Sequence, residues 1–361
     1  MTIALILHPY GEKTPSGLGR MALETTKALI AASPHTRFIL ALKEPPTKEL
    51  SLPGSNWEVV TGRGGIFWLD SLVRRTKHAD VHVFFTPVLP LLVRPKRTVV
   101  VVHDFAYRRF PDTGLRGKLA YLTLTYTHRR ALRRADRVVA VSNATQAEAA
   151  AFARVPQEKI VAIYNGTNDV CTAPQEPVEL KEPYFLLGGG VKGRKNTLAA
   201  IEAYAYFAKG GSLTLLAILG EPRGAYGERV KERLRELGIE ERVRFLAHAS
   251  DGQLCFLYRH ARAFLFPSLV EGFGMMPVEA MALGTPTVCL DTAVLREVMG
   301  EGAYLVPEGN TEAFSEALAR LDRDEALRAE LSRKGRERAS RFTWKSTGEE
   351  FLKVLRYTAS L

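Results

Sequence analysis

The chain has 361 residues, of which 46% are hydrophobic, 25% charged and 9% aromatic, with a formal net charge of +11. This is the composition of an ordinary globular protein, and the length suits two domains that each bury a core. No apolar run approaches the roughly 20 residues of a membrane-spanning helix, and residues 1–9 lack the basic leader and cleavage site of a signal peptide.

Short β-branched runs alternate with helix-length amphipathic segments along the whole chain. Most of these runs are continuously apolar, which is typical of parallel strands covered by helices on both faces. We therefore predict an α/β protein with two Rossmann-like, doubly wound domains. The predicted strands are residues 3–8, 37–42, 81–85, 98–103, 137–142, 159–164, 184–188, 213–219, 242–247, 263–268, 285–290 and 303–307.

Two loops of the first half follow strand ends, where ligands bind in such sheets. Gly17 and Gly19 precede a predicted helix, and glycine lets a ligand approach the backbone, although a tight turn explains them equally well. Their spacing is not the Gly-x-Gly-x-x-Gly of a dinucleotide site, which argues against a dinucleotide-dependent oxidoreductase. His103 ends the strand 98–103, and this position alone leaves a structural and a catalytic role open.

The excess positive charge lies entirely in the first half of the chain. Residues 1–172 contain 24 Lys+Arg against 13 Asp+Glu, and the remainder contains 26 of each. Such a basic surface favours nucleic acid, anionic lipid or an acidic substrate, and the alternative is a solvated helix face. Much of the excess lies on a predicted helix in residues 115–137, at Arg116, Lys118, Arg129, Arg130, Arg133 and Arg134. Leu119, Leu122 and Tyr126 recur on the same segment at helical spacing, and they could equally well face the core of the first domain.

The proline-containing segment 171–183 is the predicted linker between the domains. We assign 1–170 to the first domain, 184–340 to the second, and 341–361 to a C-terminal helix. The cysteines Cys171, Cys255 and Cys289 are widely spaced, without metal-binding spacing, and we expect inert thiols in a reducing cytoplasm.

The loop after strand 184–188 carries cations just before a helix. Lys192, Arg194 and Lys195 precede Asn196, which is a plausible N-cap of that helix. Cations at the positive end of a helix dipole cost a few tenths to about 1 kcal/mol each when exposed. A bound diphosphate would explain them, because phosphate suits such a loop, and the alternative is flexible side chains in solvent.

The loop after strand 263–268 places two carboxylates on either side of a turn. Glu271 precedes a Gly-Phe-Gly turn, and Glu279 lies in the first turn of a helix that stops at Gly284. Backbone amides at residues 273–275 could hold phosphates between the two carboxylates. Glu279 is equally explained as an acidic residue that stabilises a helix N-terminus, whereas Glu271 has no such structural explanation.

The stretch 266–288 resembles the Glu-x7-Glu signature of the retaining glycosyltransferases of family 4, which have the GT-B fold. Further matching anchors are residues 16–29, 103–104, 164–169 and 193–204, in the order of the family. Because these anchors span the whole chain, the resemblance implies two Rossmann-like domains across a cleft, an acceptor domain at 1–170 and a nucleotide-sugar-binding domain at 184–340. It also implies a C-terminal helix that crosses back to the first domain.

The resemblance also implies roles for individual residues. Glu271 should contact hydroxyls of the donor sugar, and Glu279 its ribose. Lys195 should neutralise the diphosphate together with Arg194, while Gly17 approaches the β-phosphate. The implied catalytic residues are Glu271, His103, Arg194 and Lys195, and the donor-binding residues are Gly17, Gly189, Lys192, Phe273, Gly274, Met275 and Glu279.

Two positions depart from the family pattern. Gly189 stands where the family often has an arginine, so either Lys192 or Arg194 takes over its charge. Met275 and Met276 replace the usual Leu-Pro after the turn, which is a packing change that can reshape the sugar pocket.

The implied reaction is a retaining, metal-independent transfer of a hexose to an acceptor hydroxyl, without a cofactor. The implied partners are a GDP- or UDP-sugar and a sugar, glycolipid or polysaccharide acceptor. The basic helix adds the hypothesis of a cytoplasmic enzyme that associates with an anionic membrane surface. A nucleic-acid-binding protein is the alternative, but the sequence has no recognition helix, zinc spacing or RNA-stacking motif.

Overall fold

Residues 1–7, 17–46, 50–62, 65, 67–112, 114–167, 171, 174–181 and 183–361 are described by a computed structural model. These residues form one unit from Met1–Gly166 with Phe342–Leu361, and a second from Thr167–Arg341. The part of the first predicted loop at residues 8–16 lies outside the described ranges.

The first unit is built on a parallel sheet, which has seven strands among the described residues. The order across the sheet places β3 at one edge and β7 at the other, with β1 and β4 as neighbours near its centre. Its elements are β1 (Thr2–Ile6), α1 (Gly17–Ala32), β2 (Arg37–Leu42), β3 (Trp57–Thr61), α2 (Trp68–Arg75), β4 (Val81–Phe84), β5 (Thr98–Val102), α3 (Ala106–Arg109), α4 (Gly114–Arg134), β6 (Arg137–Ala140), α5 (Asn143–Ala153) and β7 (Ile160–Ala162).

The second unit repeats this architecture around the sheet order β10-β9-β8-β11-β12-β13. All of these strands pair in parallel. The elements are β8 (Tyr184–Leu187), α6 (Thr197–Ala208), β9 (Leu215–Leu219), α7 (Gly224–Leu237), β10 (Val243–Leu246), α8 (Asp251–His260), β11 (Ala263–Phe266), α9 (Met275–Ala282), β12 (Thr287–Leu290), α10 (Ala293–Met299), β13 (Tyr304–Val306), α11 (Thr311–Arg323) and α12 (Glu325–Ala339).

The predicted α/β fold class with two doubly wound sheets is confirmed. Every predicted strand is present within about two residues of its predicted bounds, which is the usual uncertainty of element ends. The central strands β1, β5, β8 and β11 are buried over nearly their whole length, because helices cover both faces of each sheet.

Strand β3 was not predicted from the sequence. This strand lies at the edge of the first sheet, and its residues are half-buried or exposed. An edge strand lacks the continuous apolar run by which the buried strands were recognised, although Trp57, Val59 and Val60 favour extended backbone.

The last helix, α13 (Trp344–Ser360), belongs to the first unit and packs chiefly on α1. The contact is close because Gly348 has no side chain, and a Cβ there would lie 2.7 Å from the carbonyl oxygen of Ala28. Its apolar face includes Phe351, whose ring centroid is 6.4 Å from that of Phe85. The helix therefore completes the core of the first unit.

The expectation of three free thiols is wrong for two of the cysteines. Cys171 and Cys255 form a disulfide that joins the segment before β8 to α8, and Cys289 is a buried free thiol. The same segment is held by Ser250, whose hydroxyl donates to Glu176 Oε2 at 2.7 Å. The cysteines are 84 residues apart in sequence, so their spacing gave no sign of the pairing.

Helix α4 carries an apolar stripe that faces solvent. Leu115, Leu119, Leu122 and Tyr126 follow helical spacing and are 85%, 65%, 63% and 68% exposed. The alternative that this stripe covers the core of the first domain is therefore wrong. In the described ranges, no helix is both long and apolar enough to cross a bilayer.

Candidate functional site

The order of the second sheet creates a crevice at its centre. The chain proceeds from β8 outward to β9 and β10, and then returns to β11 on the other side of β8. Strands β8 and β11 are hydrogen-bonded neighbours, so the loops that follow them leave the same sheet edge side by side. This reversal is the switch point at which ligands bind in doubly wound sheets.

Glycines after β8 allow close packing on this crevice. A Cβ on Gly188 would lie 2.2 Å from the Phe264 ring, and one on Gly189 would lie 2.9 Å from Cδ of Lys195. Gly189 also has φ +95°, a backbone conformation that favours glycine. The glycine that departs from the family pattern therefore leaves room for the aliphatic part of Lys195.

The cation-rich loop forms a one-turn 3₁₀ helix, Gly193–Lys195, immediately before α6. Asn196 stands at the N-cap position as predicted, but it has left-handed backbone and its side chain makes no capping hydrogen bond. Lys195 is buried, so the alternative of a flexible side chain in solvent is wrong for this residue. The tight turn directs the chain from β8 into α6 and fixes the base of the lysine side chain.

Lys195 and Glu271 form a buried ion pair between the two loops. The ammonium group donates to Glu271 Oε1, and the two side chains are 9% and 12% exposed. Arg194 Nη1 lies 4.0 Å from the same oxygen, and the Ser268 hydroxyl donates to it at 2.6 Å. Lys195 Nζ also lies 4.7 Å from the centroid of the Phe266 ring. The fold thus brings together three residues predicted from the sequence.

The charge balance of this cluster leaves capacity for an anion. One carboxylate faces two cations, and Arg194 is one-third exposed at a distance beyond a direct hydrogen bond. The main chain holds the two loops together, because the N–H of Leu269 donates to the carbonyl of Arg194 at 3.0 Å. A ligand phosphate would therefore meet cations in a preorganised position.

The Gly-Phe-Gly turn opens helix α9 as the sequence predicted. Gly274 occupies the N-cap with φ +92°, and Met275 is the first helical residue. Glu279 is therefore the fifth residue of α9, so the prediction that it lies in the first helical turn and stabilises the helix N-terminus there is wrong. Phe273 is 3% exposed and Glu279 is 5% exposed, so both side chains are buried. The ring of Phe273 therefore belongs to the protein interior.

A pocket of about 680 Å³ lies beside this crevice and was missed by the sequence analysis. The residues that line it come after β8, β9 and β10 in the chain, and they include the predicted residue Lys192. Gly190 and Gly220 lie against each other, since a Cβ on Gly220 would lie 3.1 Å from Cα of Gly190. The signal that could have found the pocket is the polar residues after two further strands, Glu221 after β9 and His248 after β10.

Tyr226 forms part of the floor of this pocket. Its hydroxyl accepts from the N–H of Leu198, in the first turn of α6, at 3.3 Å. Burial raises the pKa of the Tyr226 hydroxyl above its usual value of 10. The tyrosine therefore satisfies one free amide of the helix start and supports the loop that contains Gly193.

Two of the predicted residues, His103 and Gly17, lie in the first unit. His103 follows β5, and its Nε2 lies 2.9 Å from the carbonyl oxygen of Phe85, which follows β4. Burial lowers the pKa of His103 from its usual 6.5, and the Phe85 carbonyl opposes this effect. Gly17 is exposed at the start of α1, and a Cβ there would meet no atom within 4 Å.

Two family models match successive parts of the chain. The model described as Glycosyltransferase Family 4 matches residues 15–169, and the model described as Glycosyl transferases group 1 matches residues 172–338. The second match contains both the ion pair and the α9 turn, and the first contains His103 and Gly17.

Curated relatives and a solved structure extend the similarity. The chain is 26% identical over 279 residues to O-antigen chain mannosyltransferase B of Escherichia coli, covering 73% of this chain and 71% of that protein. It is 29% identical over 234 residues to O-antigen chain mannosyltransferase RfbU of Salmonella typhimurium, covering 65% and 62%. The structure of Anabaena HepE in complex with UDP and glucose has the same fold, with a TM-score of 0.75 and 18% identity, covering 99% of this chain and 100% of that chain.

Proposed function

The chain belongs to the family 4 glycosyltransferases of GT-B fold, and we propose that it transfers a hexose from a UDP- or GDP-sugar to an acceptor hydroxyl, with retention and without a metal ion. The observation that carries this proposal is the buried Lys195–Glu271 pair beside Arg194 at the switch point of the second sheet. Mannosyltransferases among the relatives support a hexose as the transferred group.

The leaving group accounts for the cations. When the bond between the anomeric carbon and the diphosphate oxygen breaks, negative charge builds up on the diphosphate. Lys195, Arg194 and the N-terminal amides of α9 would stabilise that charge, since preorganised donors in a partly desolvated site stabilise a transition state strongly. This is the role that a divalent ion has in metal-dependent transfer.

The ion pair suggests how donor binding changes the site. Glu271 neutralises Lys195, so neither charge is buried alone. A bound diphosphate would pair with the ammonium group of Lys195 in place of Glu271. The Glu271 carboxylate would then accept hydrogen bonds from sugar hydroxyls. The acceptor oxygen would then bond to the same face of the anomeric carbon, and its proton would pass to the leaving diphosphate.

The remaining donor contacts that we propose are those implied by the family resemblance. We place the nucleoside in the 680 Å³ pocket with Lys192, a volume within the usual range for small-ligand sites. Gly189 and the main chain at residues 273–275 would lie along the diphosphate, and Glu279 would contact the ribose. In the first unit, His103 would reach the transferred sugar and Gly17 the β-phosphate.

A hydrolysis screen tests the proposed donor chemistry. UDP- and GDP-hexoses are incubated with the protein, with and without chelator, and the anomeric configuration of the product is followed by NMR. We expect donor cleavage that chelator does not change and that Lys195→Ala lowers at least tenfold, whereas Lys231→Ala, at an exposed lysine of α7, does not. Activity that requires added Mn²⁺, or equal activity of both variants, would contradict the mechanism.

We further propose that the enzyme works at the cytoplasmic face of a membrane on a glycolipid or polysaccharide precursor. The support is the exposed apolar stripe of α4 together with the basic residues of the same helix. Co-sedimentation with anionic and neutral vesicles at low and physiological salt tests this proposal. Failure to bind anionic vesicles under either condition would favour an acceptor in solution.

A further inference from the structure

A second cavity of about 550 Å³ lies in the first unit, between a loop after β4 and the C-terminal end of α4. Its walls include the start of β5 and the residue before β6, and hence the amino-terminal edge of the sheet. His103 follows the opposite, carboxyl end of β5, so this cavity is separate from the residue proposed to reach the transferred sugar. We call it the arginine pocket; its lining residues are Leu89, Pro90, Leu91, Leu92, Val93, Arg94, Pro95, Thr98, Arg130, Arg133, Arg134 and Asp136.

The arginine pocket has an excess of positive charge. Arg94, Arg130, Arg133 and Arg134 face a single acid, Asp136. That carboxylate is already engaged, because it accepts from the N–H of Thr98 at 2.8 Å and lies 3.7 Å from Arg97. Asp136 is therefore shared with Arg97, which does not line the pocket. The four lining arginines keep a net positive charge, which attracts an anion.

Internal hydrogen bonds hold the pocket in shape. Arg130 donates to the carbonyls of Leu89 and Pro90, at 3.3 and 2.9 Å. On the other side of the same loop, the buried carboxylate of Asp70 accepts from the N–H groups of residues 91–93 at 2.6–3.2 Å. The loop is fixed from both sides, so an anion would bind without first ordering the backbone.

The rim of the pocket is apolar and exposed. Leu91 and Leu92 of the fixed loop are 60% and 66% exposed. On α4, Tyr126 of the solvent-facing stripe is followed at helical spacing by Arg130 and Arg133, so one helix face runs from apolar residues into the pocket. An anion held next to exposed hydrocarbon is the chemistry of a phospholipid at a membrane surface.

We propose that the arginine pocket binds the phosphate of an anionic phospholipid headgroup, while Leu91 and Leu92 contact the acyl region. This inference rests on the proposed membrane association, for which it names a lipid-binding site. It does not depend on the donor chemistry of the second unit.

Vesicle binding of a pocket variant tests the inference. Arg94→Gln with Arg134→Gln removes two exposed cations of the pocket that have no structural hydrogen bond to the loop. Lys345→Gln with Arg356→Gln removes the same charge from exposed positions on α13. Binding to phosphatidylglycerol and phosphatidylcholine vesicles is measured by co-sedimentation at physiological salt.

We expect the pocket variant to bind phosphatidylglycerol vesicles at least tenfold more weakly than the control variant. Donor hydrolysis without vesicles should be equal in both, which shows that the pocket variant is folded. Leu91→Ser with Leu92→Ser, which keeps every charge, should also weaken vesicle binding. Failure of donor hydrolysis in the wild type would overturn the proposed transfer reaction and leave this site standing.

Two results would overturn the inference. Equal vesicle binding by the pocket and control variants would mean that the vesicles are attracted by the overall positive charge of the protein and not by the arginine pocket. The second result combines calorimetry with vesicle binding. If the wild type binds inorganic pyrophosphate, the pocket variant does not, and the wild type fails to bind anionic vesicles, the pocket binds a phosphate ligand in solution and not a lipid.

Discussion

A double-mutant cycle on Lys195 and Glu271 is the most direct test of the site, because it measures the interaction energy of the buried pair. Changing Glu271 to Gln leaves an ammonium group that is only 9% exposed facing a neutral amide. Removing one partner of a buried pair costs about 3–5 kcal/mol, because the other charge stays desolvated without compensation. We expect Glu271→Gln to lose about 3 kcal/mol of unfolding free energy, since both side chains keep some exposure.

Lys195→Met with Glu271→Gln should be less destabilised than the sum of its single variants. We expect a coupling of about 2 kcal/mol, within the range for residues in direct contact. The matched control is Lys231→Met with Glu228→Gln, an i,i+3 pair on α7 with an Nζ–Oε1 distance of 2.9 Å and side chains 46% and 68% exposed. Exposed pairs of this kind couple by about 0.5 kcal/mol or less.

Urea unfolding followed by circular dichroism measures both cycles, first without ligand and then with a nucleoside diphosphate. The diphosphate should stabilise Glu271→Gln more than the wild type, because it supplies the missing negative charge beside Lys195. Turnover of Glu271→Gln should fall at least tenfold, since the amide cannot accept the same sugar hydrogen bonds. A coupling no larger than that of the exposed control pair would refute the assignment of a buried charge pair.

Three further predictions concern stability. Reductant should lower the unfolding temperature of the wild type but not of Cys171→Ser, because the bond to Cys255 closes a separation of 84 residues, worth about 4–5 kcal/mol in the chain-entropy model. Gly166→Ala should destabilise by about 1–3 kcal/mol, because its Cβ would lie 2.3 Å from the Trp344 nitrogen; an unchanged calorimetric transition would contradict this. Burial lowers the pKa of His82 from 6.5 to about 4, so the unfolded chain binds a proton at His82 at a higher pH than the folded protein does. The free energy of unfolding should therefore decrease by up to about 3 kcal/mol as the pH falls from 6.5 to 4. His82→Gln should flatten this dependence in urea titrations at several pH values.

The sequence predicted the strands and the loops of the site because both leave local patterns. Buried parallel strands appear as apolar runs, and cations or carboxylates that follow such runs lie at the carboxyl ends of a sheet. The approach of the loops around Lys195 and Glu271 followed from the fold class together with the family resemblance. Their direct pairing did not, because the separation of 76 residues carries no information on side-chain contacts.

The features that were missed depend on tertiary packing. The half-exposed edge strand β3 has too few buried positions to produce an apolar run. The disulfide requires that the segment before β8 lie along α8, which no local spacing shows. The exposed stripe of α4 has the period of a core-facing helix, so periodicity alone could not distinguish a face turned to solvent from one turned to the sheet.

The place of α13 in the first unit has a consequence for the order in which the protein folds during synthesis. The ribosome delivers Met1–Gly166 first, then all of Thr167–Arg341, and only afterwards the helix that covers α1. The second unit can therefore close its core while the first still exposes the apolar surface that awaits α13, so the unit made first is completed last. During that interval the nascent first unit is the part of the chain that a chaperone would hold.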